Sequence, residues 1–368
     1  MITNDSWQLT VNKNDIRKSK IAPNPRPQQL EKGQVLVKIK KLALTASNVA
    51  YAHFGTSRRF WDFFPSPVSG IGILPAWGFG EVVESANEDI PVGEWLYGFF
   101  PVASHLVMDA QKTNETIIQS VDLHRLEIAS VYNNYTITEE KLDYDARYDD
   151  LQALFQPQFF HTFMLEDLLF EKGYFDSEQI VITSASSNIA ILLAFLIAER
   201  RKQEGNSTKI IGLTTFSKAG YVRKSGFFDE IRGYEELNTL SKDEKTLIAD
   251  FTGNKAMLEE IQDYFGESLT QLYLVGTSHW NKQISDKNDL TEKKSFFSAL
   301  PRLKKRKEEW GDKELFDKMG ERWIAFTRAT LILVYIKKID TTKKVSYHYQ
   351  DLVADKLNCE NSWLVEIG

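Results

Sequence analysis

Cysteine is nearly absent from this 368-residue chain. Cys359 is the only one, which excludes an intrachain disulfide and any structural zinc lobe built from four cysteines. Long apolar runs are missing as well. The longest, Ile189 to Ala198, falls far short of the roughly 20 residues needed to cross a bilayer. The opening stretch, MITNDSWQLT, lacks both the basic and the apolar region of a secretory signal. Positive charge is not in excess either. Against 45 Lys and Arg stand 51 Asp and Glu, a formal net charge of -6, which argues against a general polyanion-binding surface. What these absences leave is a soluble cytoplasmic protein with a small-molecule substrate and neither nucleic acid nor membrane as partner.

What is present suits a globular protein of two domains. The length exceeds a comfortable single core, and 42% hydrophobic with 26% charged residues is close to ordinary composition. The first part is β-rich. Strand signals run over Gln34 to Ile39, Phe79 to Val83, Trp95 to Tyr97 and Ser104 to Met108, punctuated by glycine, proline and charge. A charged crossing, Glu139 to Asp150, precedes an amphipathic segment from Leu151 to Phe170. Strands and helices then alternate. Lys209 to Leu213, Lys245 to Asp250 and Gln271 to Val275 are strands, and Asn254 to Phe265 is a helix entered through an asparagine cap. That alternation predicts a parallel sheet covered on both faces. After Pro301 a charged helical stretch runs to about Leu333, and Ser362 to Ile367 predicts a strand returning to an earlier sheet.

The most telling segment is Ser177 to Arg200. Ile180-Val181-Ile182 predicts a strand, Thr183 to Asn188 a tight polar turn, and the apolar residues beyond a helix. Strand, turn and helix in that order open the nucleotide site of a doubly wound sheet, where free amides and the helix dipole favour phosphate. The turn contains no glycine, so the G-x-G-x-x-G fingerprint is absent. Its serines and Asn188, the non-glycine type most tolerant of left-handed backbone, must stand in.

Taken in order, these pieces resemble the medium-chain dehydrogenase/reductase superfamily, in its zinc-free quinone-oxidoreductase-like branch. Gly33 to Ile39 looks like the family's opening strand, and Ala43 to Val49 resembles its catalytic-loop pattern. Gly78 to Val83 and Val92 to Gly98 fit its glycine-rich segment and following turn, and Trp363 to Ile367 its closing strand. Ser184 to Ser187, Asp250 to Asn254, Leu274 to Trp280 and Arg306 to Gly311 fit a narrower domain-of-unknown-function offshoot. The resemblance implies an α/β fold: an N-terminal β-rich GroES-like domain over 1–158 together with 334–368, and a doubly wound parallel-sheet (Rossmann) cofactor domain over 159–333. It also implies a homodimer formed through an edge strand near Ser295 to Ala299.

On that template Ser184, Ser186, Ser187 and Asn188 face a diphosphate. The next strand ends in Thr214, Thr215, Ser217 and Lys218, hydroxyls and one cation where an NAD enzyme carries a carboxylate, so NADP(H) is the expected cofactor. By resemblance Thr252, Gly253, Gly276 and Thr277 flank the nicotinamide, with Asp250 shaping a strand end. Asn48 stands where many zinc-free relatives have aspartate, and Tyr51 follows three residues later on the same helical face. Tyr135 offers a phenol to polarise a carbonyl, with ordinary core packing as its alternative. His279, at a strand end expected to face the cleft, is a candidate proton relay, although an isolated histidine near tryptophan is more often a packed, hydrogen-bonded group. His53 and His105 have no evident third ligand, so no metal is expected.

Two features have competing explanations. Arg302 to Lys307 carries five basic residues in six, and a solvated helix face neutralised by Glu308 and Glu309 is the expectation over a phosphate site. Phe60 to Pro65 either lines an apolar substrate cleft or partner surface, or is a tucked loop anchoring the β-rich domain. The leading expectation is an NADP(H)-dependent, metal-free oxidoreductase passing hydride between nicotinamide and an activated alkene or carbonyl. Its rival is a scaffold of the same architecture that has lost hydride transfer and binds a metabolite or protein, or catalyses a non-redox step.

Overall fold

The computed structural model describes residues 6–128, 130–138, 145–276, 290–331, 334–357 and 361–367. Two units emerge, Met1–Leu154 with Tyr335–Gly368, and Phe155–Val334.

The first unit opens with β1 (Trp7–Asn12), β2 (Asp15–Pro23) and β3 (Gln34–Ala43), followed by the short helix α1 (Ala46–His53). Strands β4 (Ile71–Ile73), β5 (Pro75–Ser85), β6 (Trp95–Pro101), β7 (His105–Lys112), β8 (Ile117–Ser120) and β9 (Asn134–Ile137) come next. Strands β5, β6, β9, β8 and β7 follow β3 in order across one sheet, and β7 returns to pair with β3. The ring is thereby closed and its edges are satisfied. Strand β3 can serve as hub because Val35, Val37 and Ile39 are all buried.

Helix α2 (Asp149–Glu171) begins in the first unit and continues through Pro157 into the second. There β10 (Gln179–Ile182), α3 (Asn188–Glu204), β11 (Lys209–Thr214), α4 (Phe216–Ser225) and β12 (Glu230–Gly233) alternate. They are followed by β13 (Thr246–Asp250), α5 (Lys255–Phe265), β14 (Leu269–Leu274), β15 (Lys294–Phe296) and α6 (Ala299–Thr330). Every strand pair is parallel, and the order across the sheet is β12-β11-β10-β13-β14-β15. Counted from β10, this is the 3-2-1-4-5-6 order of a doubly wound dinucleotide fold, with its switch point between β10 and β13. The chain then returns to the first unit as β16 (Tyr335–Ile339), α7 (Thr342–Val353) and β17 (Asn361–Glu366). Strand β17 pairs antiparallel with β3, so the closing strand does rejoin the earlier sheet.

The structure corrects the reading of the basic run. Positions 302 and 306 share one face of α6, and that face meets Asp167 and Glu171, which share one face of α2. Arg302 is 5% exposed and binds Asp167 and Glu171, and Arg306 grips both Asp167 carboxylate oxygens at 2.7 and 3.0 Å. Hydrogen bonds from Arg302 and Lys305 hold the Glu171 carboxyl down to about 2. Glu309 still pairs with Arg306, and only Lys304 and its neighbours keep the solvated role. A second correction concerns α5. Asn254 occupies the cap position, but its side chain makes no capping hydrogen bond.

Removing the shared carboxylate should expose the weight of this cluster. Asp167→Ala leaves two buried guanidinium groups short of a counter-charge, and we expect a loss of about 3 kcal/mol in urea denaturation. A change below about 1 kcal/mol would show that Glu171 alone suffices.

Candidate functional site in the parallel-sheet unit

Asp250 ends β13 at the switch point and is completely buried. Its Oδ1 accepts from Thr183 Oγ1 at 2.6 Å, Thr252 Oγ1 at 2.7 Å and the Thr252 amide at 3.0 Å, and its Oδ2 accepts from the Gly253 amide at 2.8 Å. Thr183 Oγ1 in turn accepts from the Phe251 amide. The Asp250 carbonyl receives the amides of Val275 and Gly276. One residue therefore ties the carboxyl ends of β10, β13 and β14. Burial pushes its carboxyl above the usual range while the hydrogen bonds oppose that shift.

The glycine-free turn is built by compensation. Ser184 adopts φ 49°, the left-handed region, so the positive φ falls there and not at Asn188, which begins α3. Its amide donates to the Tyr234 hydroxyl at 2.9 Å. Tyr234 reaches it from the end of β12, where the Gly233 amide donates to Glu236 Oε2 and closes a 3-10 turn. Burial raises the Tyr234 phenol well above its usual range, so it stays protonated. Ala185 is fixed by its amide, which donates to the Leu213 carbonyl. Close packing is supplied from the neighbouring strand: a Cβ on Gly212 would lie 2.9 Å from that of Ala185. Ser187 caps α3, its hydroxyl accepting from the Ala190 amide at 3.4 Å.

Ser184, Ser186, Ser187 and Asn188 thus share one end of the sheet with Thr214, Thr215, Ser217 and Lys218. Thr214 Oγ1 donates to Ser186 Oγ at 3.3 Å, and the hydroxyls of Thr215 and Ser217 lie 3.3 Å apart. Thr252, Gly253 and Gly276 gather around Asp250, with the amides of Gly253 and Gly276 committed to it. Thr277 and His279 lie outside the described residues. Beside the turn a cavity of about 260 Å³ is lined by Leu213, Tyr234, Asn254, Met257 and their neighbours. It opens where β11 and β12 end and α5 begins, and it suits a single heterocycle rather than a whole dinucleotide.

In the other unit, Asn48 is buried with both amide ends engaged. Its Oδ1 accepts from the Thr45 amide at 2.6 Å and its Nδ2 donates to the Pro75 carbonyl at 2.8 Å, closing a capping box on α1. Tyr135 is fully buried; its hydroxyl donates to the Phe99 carbonyl at 2.8 Å and accepts from Arg125. These contacts give both residues a structural part. Tyr51 shares α1 with Asn48, and its ring packs on Phe60 and Phe99. Phe60, Trp61, Phe63 and Phe64 are buried, the burial that an anchoring loop requires. Among the described residues, no three His, Cys, Asp or Glu side chains are grouped to hold a metal ion, and no helix is long and apolar enough to cross a membrane.

Residues 42–358 match a family model described as Protein of unknown function (DUF2855). The chain belongs to that family. No curated protein matches its sequence. Among solved structures, this member of the family is similar to CurA from Vibrio vulnificus in complex with NADPH. Identity is 12%, coverage 98% of this chain and 99% of that one, and the TM-score 0.62. A mycobacterial protein complexed with NADPH gives 12% identity, 98% and 99% coverage and a TM-score of 0.57. The quinone oxidoreductase from Coxiella burnetii gives 12%, 99% and 100%, and 0.53. Likeness at such identity concerns fold. It agrees with the closed β unit and the parallel sheet: this chain combines a GroES-like β-rich unit with a Rossmann-type doubly wound unit, the fold class that the sequence predicted.

Tyr234 and Asp250 carry the corner, and only Asp250 had a sequence signal, a carboxylate closing a buried strand. If Ser184 is the strained point, Ser184→Gly should keep or raise stability by up to about 1 kcal/mol, whereas Ser184→Val should lower it by about 1–3 kcal/mol. Thermal denaturation of the two variants checks this, and equal shifts would remove strain as the explanation.

Proposed function

We propose that this chain is an NADP(H)-dependent, metal-free oxidoreductase that passes hydride between the nicotinamide and an activated alkene or carbonyl. The observation that carries it is the end of β11. Thr214 there meets Ser186 of the turn before α3, and Thr215, Ser217 and Lys218 follow in sequence, without the carboxylate that would repel a 2′-phosphate. The NADPH complexes of similarly folded proteins support the same choice of coenzyme.

The residues present fit such a group. Ser186, Ser187 and the first turn of α3 would hold the diphosphate, Thr215, Ser217 and Lys218 the 2′-phosphate, and the cavity beside Tyr234 the adenine. When bound, the coenzyme supplies the hydride. Asp250 fixes the carboxyl ends of β10, β13 and β14. Of the polar groups weighed for the substrate oxygen, Asn48 and Tyr135 are held by the protein itself, which leaves Tyr51 as donor. We also place a homodimer contact on β15, the outermost strand, where Phe296 is 42% exposed.

One observation favours the rival, a scaffold without hydride transfer. The Tyr234 hydroxyl occupies the Ser184 amide, a donor that a diphosphate would otherwise use.

Calorimetric titration with NADPH and NADH separates the two. We expect NADPH-selective binding that Ser187→Trp abolishes; no binding of either nucleotide at millimolar concentration would leave the scaffold. Unchanged affinity in Ser187→Trp would move the diphosphate elsewhere. Light scattering on the same sample should give a dimer, and a monomer would remove the β15 contact.

A further inference from the structure

The cavity of about 260 Å³ beside the nucleotide turn has an apolar interior and a charged mouth. Helix α5 supplies both, because residues four apart share one face of a helix. Met257 and Ile261 form one such row; they line the cavity and are half-buried and buried. Ala256 and Glu260 form the next row; they also line the cavity and are both exposed, which puts them at its mouth. Leu213 on β11 and the Tyr234 ring add further wall, and both pack with Met257 and Ile261 in one apolar cluster. The hydrogen bond between the Tyr234 hydroxyl and the Ser184 amide holds that ring in place. The volume falls below the roughly 300–1,000 Å³ of pockets that enclose a whole ligand. Aliphatic walls with one aromatic face suit a single flat heterocycle.

Glu260 decides which heterocycle. Among the described residues, none forms a hydrogen bond or ion pair with its carboxylate, which solvent can reach. An ionised carboxylate only accepts hydrogen bonds. A purine that carries an amino group at position 6 can donate to it, and a bond to a charged acceptor is stronger than one between neutral groups. A purine without that group offers no such donor. A phosphate would be repelled, so the base end of a nucleotide suits this mouth and its phosphate end does not. Asn254 lines the cavity as well, but a carboxamide both donates and accepts and so favours neither kind of base.

We propose that Glu260 makes this cavity selective for a 6-aminopurine: its carboxylate accepts from the exocyclic amino group while the ring packs on Tyr234, Met257 and Ile261. As the base of the coenzyme this rests on the function proposed above, but the selectivity itself requires neither diphosphate nor nicotinamide.

The test uses the full chain with adenosine and with purine riboside, the same nucleoside without its amino group. The chain has five methionines, and Met257→Leu assigns the Met257 methyl signal in the proton–carbon spectrum by deleting it. Adenosine should shift that signal in a saturable way, and purine riboside should do so with about tenfold weaker affinity. Glu260→Ala should remove the difference between the two nucleosides. Glu260→Gln, which keeps a neutral acceptor, should retain part of it and serves if the alanine variant fails to fold. Equal affinity for the two nucleosides, a full difference that survives both substitutions, or a Met257 signal unmoved by millimolar adenosine overturns the proposal. Selective adenosine binding without NADPH binding would instead sink the reductase alone.

Discussion

Asp250 accepts four hydrogen bonds in a place where no water reaches, and the carboxyl ends of three parallel strands are positioned by that one side chain. A parallel sheet has no hairpins to fix where its strands stop, so their ends must be tied by side chains or by loop amides. Thr183, Thr252, Gly253 and Gly276 all point their donors, or their backbone, at this residue. The crevice where the strand order reverses is therefore set by local chemistry on β13, and the loops on either side inherit their positions from it.

The turn after β10 shows how a nucleotide corner is made without glycine. Glycines there usually serve three needs: a left-handed residue, close approach of backbone, and tight contact between helix and strand. Here the needs are distributed. Ser184 accepts the left-handed conformation under the hold of Tyr234, Ser187 caps the helix, and Gly212 on the adjacent strand clears space for Ala185. The same distribution explains why the proposed coenzyme site and its rival share one observation. Tyr234 both stabilises the turn and occupies a donor.

Charge and aromatic rings are handled in opposite ways in the two units. In the parallel-sheet unit, arginines that a linear reading assigns to solvent are buried against acids on α2, and Glu166 grips Arg200 through both oxygens at 3.1 Å. In the β unit, aromatic rings that a linear reading leaves between cleft and anchor divide by burial. Phe60, Phe63, Phe64 and Phe99 pack in the core, and Tyr51, Trp77 and Tyr132 are left half-buried against them.

The sequence by itself determined the α/β class, the parallel sheet, the closing strand at Asn361–Glu366 and the serine- and threonine-rich corner after β10 and β11. Periodicity and strand–turn–helix order are local, and local order is written along the chain. It missed the hairpin of β1 and β2, the strand β16 and the helix α7, although Val345, Tyr349 and Val353 recur at helical spacing in α7. Only the tertiary structure decided that Tyr234 meets Ser184, fifty residues away, that Arg302 and Arg306 turn inward, and that Asn48 and Tyr135 are committed to the protein's own backbone. Those outcomes depend on which faces are brought together across the fold, and a side chain's partner across a sheet or between helices is set by packing, not by its neighbours in sequence.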